Sequence, residues 1–212
     1  MSTADEPEHT WPRCVPRTPR LPCKAQHITI LQTSDIHAQL DIHDEFFYEN
    51  DRQVFKRRGG FATLRTMVAA LRKQNAEHTL LVDGGDCFQG SAVAALSKGE
   101  AIVPLMNRIG YDLVLPGNWE VVYGKDMLMK DMGMYTAARV CANMFHDDGP
   151  DGGLMFPAYQ VFDIGGTKVG FVGYNDPLTP ARQSPAGCRE GSAGWCRLPA
   201  AWRTSPTSIS EA

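Results

Sequence analysis

The stretch TLLVDGGD at residues 79–86 decides the fold, because it joins a strand pattern to a turn that contains glycine and acid. Residues 80–82 are aliphatic, which is typical of a buried strand. Gly84 and Gly85 end that strand, and Asp86 follows them. In an open α/β sheet, ligands bind beyond the carboxyl ends of the strands. The stretch therefore predicts a central strand with a polar site at its end.

The same alternation of strand and helix patterns extends on both sides of this stretch. Residues 28–33 predict a strand, and residues 60–75 predict a helix with its apolar side chains on one face. Strand, helix, strand, helix, strand is the signature of a layered α/β fold. The remaining elements are predicted as a strand at 79–83, a helix over 102–109, strands at 113–115 and 139–142, and a hairpin of 159–164 with 168–173 turning at Gly165-Gly166.

The composition argues against two classes of protein. Hydrophobic residues make up 43% of the 212 residues, and no apolar run approaches the roughly 18 residues that a membrane span needs. The net charge is -3, so the chain offers no basic surface for nucleic acid. We therefore expect neither a membrane nor a nucleic acid as a partner.

The two ends of the chain differ from its middle. Residues 1–26 are rich in proline and contain no apolar stretch, which predicts a disordered leader without a secretory signal and a cytoplasmic location. Residues 181–212 contain only two aliphatic side chains larger than alanine, Leu198 and Ile209. We expect a disordered tail there, either a native flexible tail or a non-native sequence from a shifted reading frame. Residues 27–180 form the candidate domain.

The six cysteines include no closely spaced pair of the kind that binds metal. We interpret them as free thiols in a reducing compartment.

Three polar clusters each follow a predicted strand, at residues 34–37, 83–86 and 117–120. Asp35 and His37, two residues apart in a loop, can turn toward one point. Carboxylate, imidazole and amide oxygen ligands suit divalent cations. The clusters predict a metal site formed by Asp35, His37, Asp86 and Asn118.

Each of these residues also has a simpler interpretation. An aspartate beside a strand end is often a turn or cap residue, and an asparagine after glycine is often a left-handed turn residue. A single histidine is more often a hydrogen-bonded surface residue than a ligand. The repetition of polar clusters at three strand ends favours the metal site.

Three ordered motifs carry a family resemblance, namely residues 30–37 (ILQTSDIH), 81–91 (LVDGGDCFQGS) and 117–120 (GNWE). They resemble the calcineurin-like metallophosphoesterases, in the branch of the 5'-nucleotidases and their thiosulfohydrolase-type relatives. The resemblance covers roughly 28–185. It implies the N-terminal portion of a layered α/β/β/α sandwich and a dinuclear metal site that hydrolyses phosphate or related esters.

The resemblance also implies roles for single residues. Asp35 and His37 correspond to ligands of a first metal ion, Asp86 to a carboxylate that bridges two ions, and Asn118 to a ligand of the second. The implied ions are Mn, Zn, Mg or Fe, and the implied substrate is a small phosphoester or related molecule. Relatives in this branch are often exported.

The sequence departs from the family pattern in two places. Trp119 stands where phosphatases of this branch have a catalytic histidine, and Val122 stands where they have the acid that orients it. An indole can donate one hydrogen bond but cannot carry a positive charge. The family also completes its metal site with later histidines, whereas no histidine follows His146. We therefore expect an incomplete, truncated domain of low activity.

Two other functions are considered beside a hydrolase. A non-catalytic module that binds one metal ion or an anion is compatible with Trp119 and with the missing ligands. A Rossmann-type nucleotide binder fits poorly, because residues 84–86 lack the glycine spacing of that motif.

Overall fold

The structure is a computed structural model that describes residues 27–146 and 153–179. Strands and helices alternate through most of the described chain, as the sequence predicts. The strands are β1 (Thr29–Thr33), β2 (His43–Glu49), β3 (Arg52–Arg58), β4 (Thr79–Asp83), β5 (Leu113–Val114), β6 (Ala138–Arg139), β7 (Tyr159–Ile164) and β8 (Thr167–Val172). The α-helices are α1 (Phe61–Gln74), α2 (Ala92–Ser97), α3 (Val103–Ile109) and α4 (Lys125–Gly133).

A parallel sheet in the order β1-β4-β5-β6 forms the centre of the fold. Thr33 lies opposite Asp83, and Asp83 lies opposite Val114, so β1, β4 and β5 end at the same level. The loops that follow these strands consequently meet at one edge of the sheet. The α/β class is confirmed, and the register alone brings the three polar clusters together.

Helices cover one face of this sheet. Helix α1 buries Phe61 and Val68 in the main core, with Leu64 packed against them, as the apolar periodicity predicts. Near its end, Arg72 donates to the Gly110 carbonyl oxygen at 2.8 Å and to the Asp112 carboxylate at 2.5 Å. These bonds fix α1 to the turn that leads into β5.

The predicted hairpin of β7 and β8 covers part of the opposite face. The two strands pair antiparallel around Gly165 and Gly166. Phe162 and Phe171 meet edge to face at 5.8 Å and pack on the sheet side chains Val82, Leu113 and Val140. The described chain thus has the order helices, sheet, hairpin, in agreement with the expected portion of an α/β/β/α sandwich.

Strand β6 differs slightly from its prediction at 139–142. It comprises Ala138 and Arg139, and the N–H of Val140 still donates to the Val114 carbonyl of β5 at 3.2 Å before the following groups bond elsewhere. The N–H of Cys141 donates to the Pro157 carbonyl at 2.9 Å, and that of Ala142 to the Gly173 carbonyl at 2.8 Å. The chain therefore leaves the parallel sheet early and joins the second layer.

An antiparallel hairpin of β2 and β3 has no counterpart in the sequence predictions. Its strands are full of charged residues and lack the alternation that marks a half-buried strand. Its turn is formed by Asn50 and Asp51, both with positive φ, which is the geometry of a tight hairpin turn. Helices α2 and α4 were also not predicted, since one has only six residues and the other has weak apolar periodicity.

Several sequence predictions lie outside the described residues. The disordered leader at 1–26 and the tail at 181–212 are among them, together with four of the six cysteines. Within the described segments, Cys87 and Cys141 are buried free thiols. No helix among the described residues is both long enough and apolar enough to span a membrane.

Candidate metal centre

Asp35 and His37 lie in the loop that follows β1, in a backbone conformation that side chains rarely adopt. Their φ angles are 54° and 48°. The loop is fixed to the neighbouring loop after β4, because the N–H of Asp35 donates to the Gly85 carbonyl at 3.0 Å and the N–H of His37 to the Asp86 carbonyl at 2.9 Å. Backbone bonds between adjacent strand ends thus hold both side chains at the edge of the sheet.

The carboxylate of Asp86 comes from the loop after β4 and is largely buried. The backbone of Asp86 is also left-handed, with a φ of 62°. One carboxylate oxygen accepts the backbone N–H of Trp119 at 2.7 Å, so the loop after β5 contacts the side chain directly. All three loops after β1, β4 and β5 therefore contribute to the position of this carboxylate.

Asp35, His37 and Asp86 converge, and each offers a ligand atom within 4.8 Å of the others. Nδ1 of His37 lies 3.1 Å from the Gln89 carbonyl oxygen, which can only accept, so this nitrogen carries the proton. The lone pair of Nε2 is then available, 3.9 Å from an oxygen of Asp35. Two carboxylates and an oriented imidazole form a donor set that fits a divalent cation.

The electrostatics of the cluster also favour a cation. Burial raises the pKa of Asp86, and the neighbouring Asp35 raises it further, although the Trp119 N–H works in the opposite direction. A positive ion between these carboxylates would remove the repulsion between them and replace the lost solvation.

Asp83 has a structural role despite its place in the acidic turn. It is buried, and one oxygen accepts the N–H of Gly85 at 2.8 Å and the thiol of Cys87 at 3.2 Å, while the other accepts the Thr33 hydroxyl. Burial raises the pKa of its carboxyl. The simpler interpretation, a turn residue, is correct here.

Asn118 lies between two residues that contact the Asp86 and Glu120 carboxylates. Gly117 precedes it and donates its N–H to Glu120 at 2.7 Å, and Trp119 follows it and donates to Asp86. Asn118 is half-buried at the same edge as the three converging side chains. Its predicted role as a ligand stays a prediction.

Trp119 lies against His37. The two rings meet nearly perpendicular, at 76°, with their centroids 6.1 Å apart. The indole therefore forms one wall of the cluster, at the position where a charged imidazole was implied by the family pattern.

Glu120 is the residue of this site whose importance the sequence did not reveal. Its side chain is 2% exposed, and its two oxygens accept four backbone N–H groups. Burial raises its pKa to about 7, with Asp86 adding to the effect. The sequence signals were its place at the end of the third polar cluster and in the motif at residues 117–120.

A buried pair of amides supports the same loops from another side, and it too was not predicted. The Asn175 amide donates to the carbonyl oxygens of Pro116 at 2.8 Å and Gly117 at 2.9 Å. Asn175 in turn exchanges two hydrogen bonds with Asn143, of 2.8 and 2.7 Å. Both polar groups of the Gly117 backbone are therefore bonded within the protein.

Residues 28–180 match the family model described as calcineurin-like phosphoesterase. The chain belongs to this family. Calcineurin-like phosphoesterases use divalent metals, and Asp35, His37 and Asp86 form a possible metal site of this chain. The identification agrees with the resemblance carried by the three sequence motifs.

The chain is similar to several known proteins. It is 32% identical over 164 residues to 5'-nucleotidase of Bos taurus, and the match covers 74% of this chain and 28% of that protein. Among solved structures, NAD nucleotidase of Haemophilus influenzae is 25% identical with a TM-score of 0.62, over 70% of this chain and 26% of the other. Sulfate thiohydrolase SoxB of Thermus thermophilus shares the fold, with 21% identity and a TM-score of 0.67 over 81% of this chain and 39% of the other. The chain thus spans less than half the length of each.

Proposed function

We propose that this chain is a metal-dependent hydrolase of the 5'-nucleotidase type, which acts on phosphate or related esters. The observation that carries the proposal is the convergence of Asp35, His37 and Asp86 at the carboxyl edge of a parallel sheet. The names of the relatives, 5'-nucleotidase and NAD nucleotidase, make small nucleotides the first substrates to test.

The chemistry of the site follows from what its residues hold. A divalent cation supplies Lewis acidity toward an ester oxygen and an attacking water. Asp35 and His37 would hold one such ion through a carboxylate oxygen and Nε2. Asp86 and Asn118 would contribute to a second position. Nδ1 of His37 keeps its proton and donates it in a hydrogen bond to the Gln89 carbonyl oxygen, which keeps the ring in its ligating orientation.

Three residues limit the rate of hydrolysis that we expect of this 212-residue chain. Trp119 cannot protonate a leaving group, and Val122 cannot orient a proton donor. Asn118 is the only predicted protein ligand that belongs to the second ion alone. We therefore propose weak, exchangeable binding of Mn²⁺ or Zn²⁺ and slow hydrolysis by the chain as given.

A non-catalytic module that binds one ion is the second candidate. Three converging ligands are enough for one ion, and the wall formed by Trp119 makes the cluster less polar. Such a module would bind Mn²⁺ without hydrolysing any ester.

Hydrolysis of bis-p-nitrophenyl phosphate and of adenosine monophosphate, each with added Mn²⁺, tests the proposal. We expect slow turnover that falls at least tenfold in Asp86→Asn, because that variant loses a negative ligand at the centre of the cluster. Asp44→Asn is the matched control, since Asp44 is an exposed carboxylate on the β2–β3 hairpin. Equal turnover in all three proteins would show that the activity is a contaminant and would overturn the proposal. Mn²⁺ binding without turnover would favour the second candidate.

A further inference from the structure

A single buried carboxylate joins the two loops that follow β4 and β5. One oxygen of Glu120 accepts the N–H groups of Cys87 at 2.5 Å and Phe88 at 3.2 Å. The other oxygen accepts those of Asp86 at 2.8 Å and Gly117 at 2.7 Å. Three donors thus belong to one loop and one to the other, and together they form an anion-binding nest that the protein fills with its own side chain.

The bonds between this carboxylate and the candidate ligand Asp86 are reciprocal. The N–H of Asp86 donates to Glu120, while the carboxylate of Asp86 accepts the N–H of Trp119, the residue next to Glu120. Both ends of Asp86 are therefore fixed by the same two-residue segment. Its left-handed backbone, with φ at 62°, needs such support, because the conformation is unfavourable for a residue other than glycine.

The position of Glu120 separates its role from those of the ligands. It is 2% exposed, and each of its oxygens already accepts two N–H groups. Substrate cannot reach it, and the N–H groups occupy its acceptor positions. Its effect on the site has to pass through the residues it holds, which are Asp86 directly and Asn118 through Gly117.

We propose that Glu120 is the positioning residue of the metal centre, an internal carboxylate whose four backbone hydrogen bonds hold Asp86 and the 117–119 loop in ligating geometry. This inference rests on the proposed function, because it assumes that Asp86 holds an ion. It adds that ion affinity depends on a residue that touches neither ion nor substrate.

Glu120→Gln is the test variant, because glutamine has nearly the same size but replaces one acceptor oxygen by an amide that donates. Two backbone N–H groups then lose their acceptor and face another donor. We expect the affinity for Mn²⁺ to fall at least tenfold, measured by the electron paramagnetic resonance signal of free Mn²⁺ during titration. Far-ultraviolet circular dichroism checks that the variant is folded.

Asp112→Asn is the matched control for general destabilisation. Asp112 is also a carboxylate that accepts a backbone N–H of the same sheet, from Leu81 at 2.8 Å, and it pairs with Arg72. It lies just before β5, at the opposite edge from the site. We expect this variant to lose stability and to keep the wild-type affinity for Mn²⁺. If the role of Glu120 were merely structural, Glu120→Gln would behave in the same way.

The outcomes separate this inference from the proposed function. If Asp86→Asn binds Mn²⁺ as the wild type does, the metal centre itself is wrong. If Asp86→Asn loses the ion but folded Glu120→Gln keeps it, only the positioning role is overturned. Should Glu120→Gln fail to fold, Glu120→Asp replaces it, because aspartate keeps the charge but is too short to reach both loops. Unchanged affinity in that variant would likewise overturn the inference.

Discussion

Three residues of the candidate metal centre hold a backbone conformation that is unfavourable for them. Asp35, His37 and Asp86 all have φ between 48° and 62°. Left-handed conformations of this kind concentrate at functional sites, where the surrounding structure holds them in place. Here the loop-to-loop hydrogen bonds and the buried Glu120 carboxylate provide that support. The unfavourable conformation and its support coincide with the residues that the sequence motifs selected.

A buried acid outside the site offers a test of stability at the scale of one residue. Asp131 in α4 is fully buried, and neither of its carboxylate oxygens has a hydrogen-bond partner among the residues described. Burial raises its pKa from 3.8 to about 6. As the pH rises from 3.8 to 6, the unfolded chain releases this proton while the folded chain retains it. The free energy of unfolding therefore falls through this window, and the loss is complete above pH 6.

We predict that Asp131→Asn is more stable than the wild type at pH 7.5 by about 3 kcal/mol, since the substitution removes the cost of a buried charge. The difference should shrink toward zero below pH 4. Urea unfolding at several pH values measures it. Asp126→Asn is the control, because Asp126 is an exposed acid on the same helix and should leave the pH slope nearly unchanged. Parallel stability curves for Asp131→Asn and the wild type would contradict the prediction.

At the scale of elements, the site depends on how closely the loops after β4 and β5 approach each other. A side chain at Gly117 would overlap the carboxylate and the backbone of Asp86, and one at Gly85 would come within 2.6 Å of the Gly117 Cα. Both positions have to be glycine for the loops to meet. The short distance between the loops is what allows Glu120 and Trp119 to reach Asp86.

We predict that Gly117→Ala destabilises the protein by at least about 2 kcal/mol and abolishes Mn²⁺ binding, because the added methyl group pushes the two loops apart. Gly133→Ala is a closely matched control. Gly133 lies in α4, and a side chain added there would meet no other atom within 4 Å. Neither Gly133 nor Gly117 has a positive φ. Gly133→Ala should be neutral or stabilising by up to about 1 kcal/mol. Thermal unfolding and Mn²⁺ titration of both variants measure the difference, and equal behaviour would contradict the close-approach argument.

The elements that the sequence predicted well are those with a buried face. The aliphatic run of β4 and the apolar stripe of α1 follow directly from burial, and the positions of Asp35, His37 and Asp86 follow from the strand ends. The β2–β3 hairpin was missed because neither of its faces is buried, so no periodicity marks it. Glu120 and Asn175 were missed for another reason: their roles depend on which way backbone N–H and C=O groups point, which side-chain patterns do not record.

At the scale of the whole molecule, the candidate metal centre connects parts of the chain that are far apart in sequence. Asp35 and His37 follow β1, whereas Asp86 follows β4, after the β2–β3 hairpin and α1. Only the folded sheet brings these ligands together. An ion that needs all three therefore binds the folded chain and not the unfolded one, so its binding energy adds to the stability of the fold.

We predict that Mn²⁺ raises the melting temperature of the chain, by a shift that grows with the logarithm of the Mn²⁺ concentration once that concentration exceeds the dissociation constant. At ten times the dissociation constant the ion adds about 1.4 kcal/mol to the free energy of unfolding. For a chain of this size that corresponds to about 3–6 °C. Differential scanning fluorimetry across a series of Mn²⁺ concentrations measures the shift, and chelation with EDTA should reverse it.

Asp112→Asn should melt lower than the wild type but shift by the same amount with Mn²⁺, because its change lies at the opposite edge of the sheet. Asp86→Asn should show almost no shift, since it has lost a negative ligand at the centre of the cluster. If Mn²⁺ stabilised Asp86→Asn as much as the wild type, the ion would be bound elsewhere, and the coupling between this centre and the fold would be wrong.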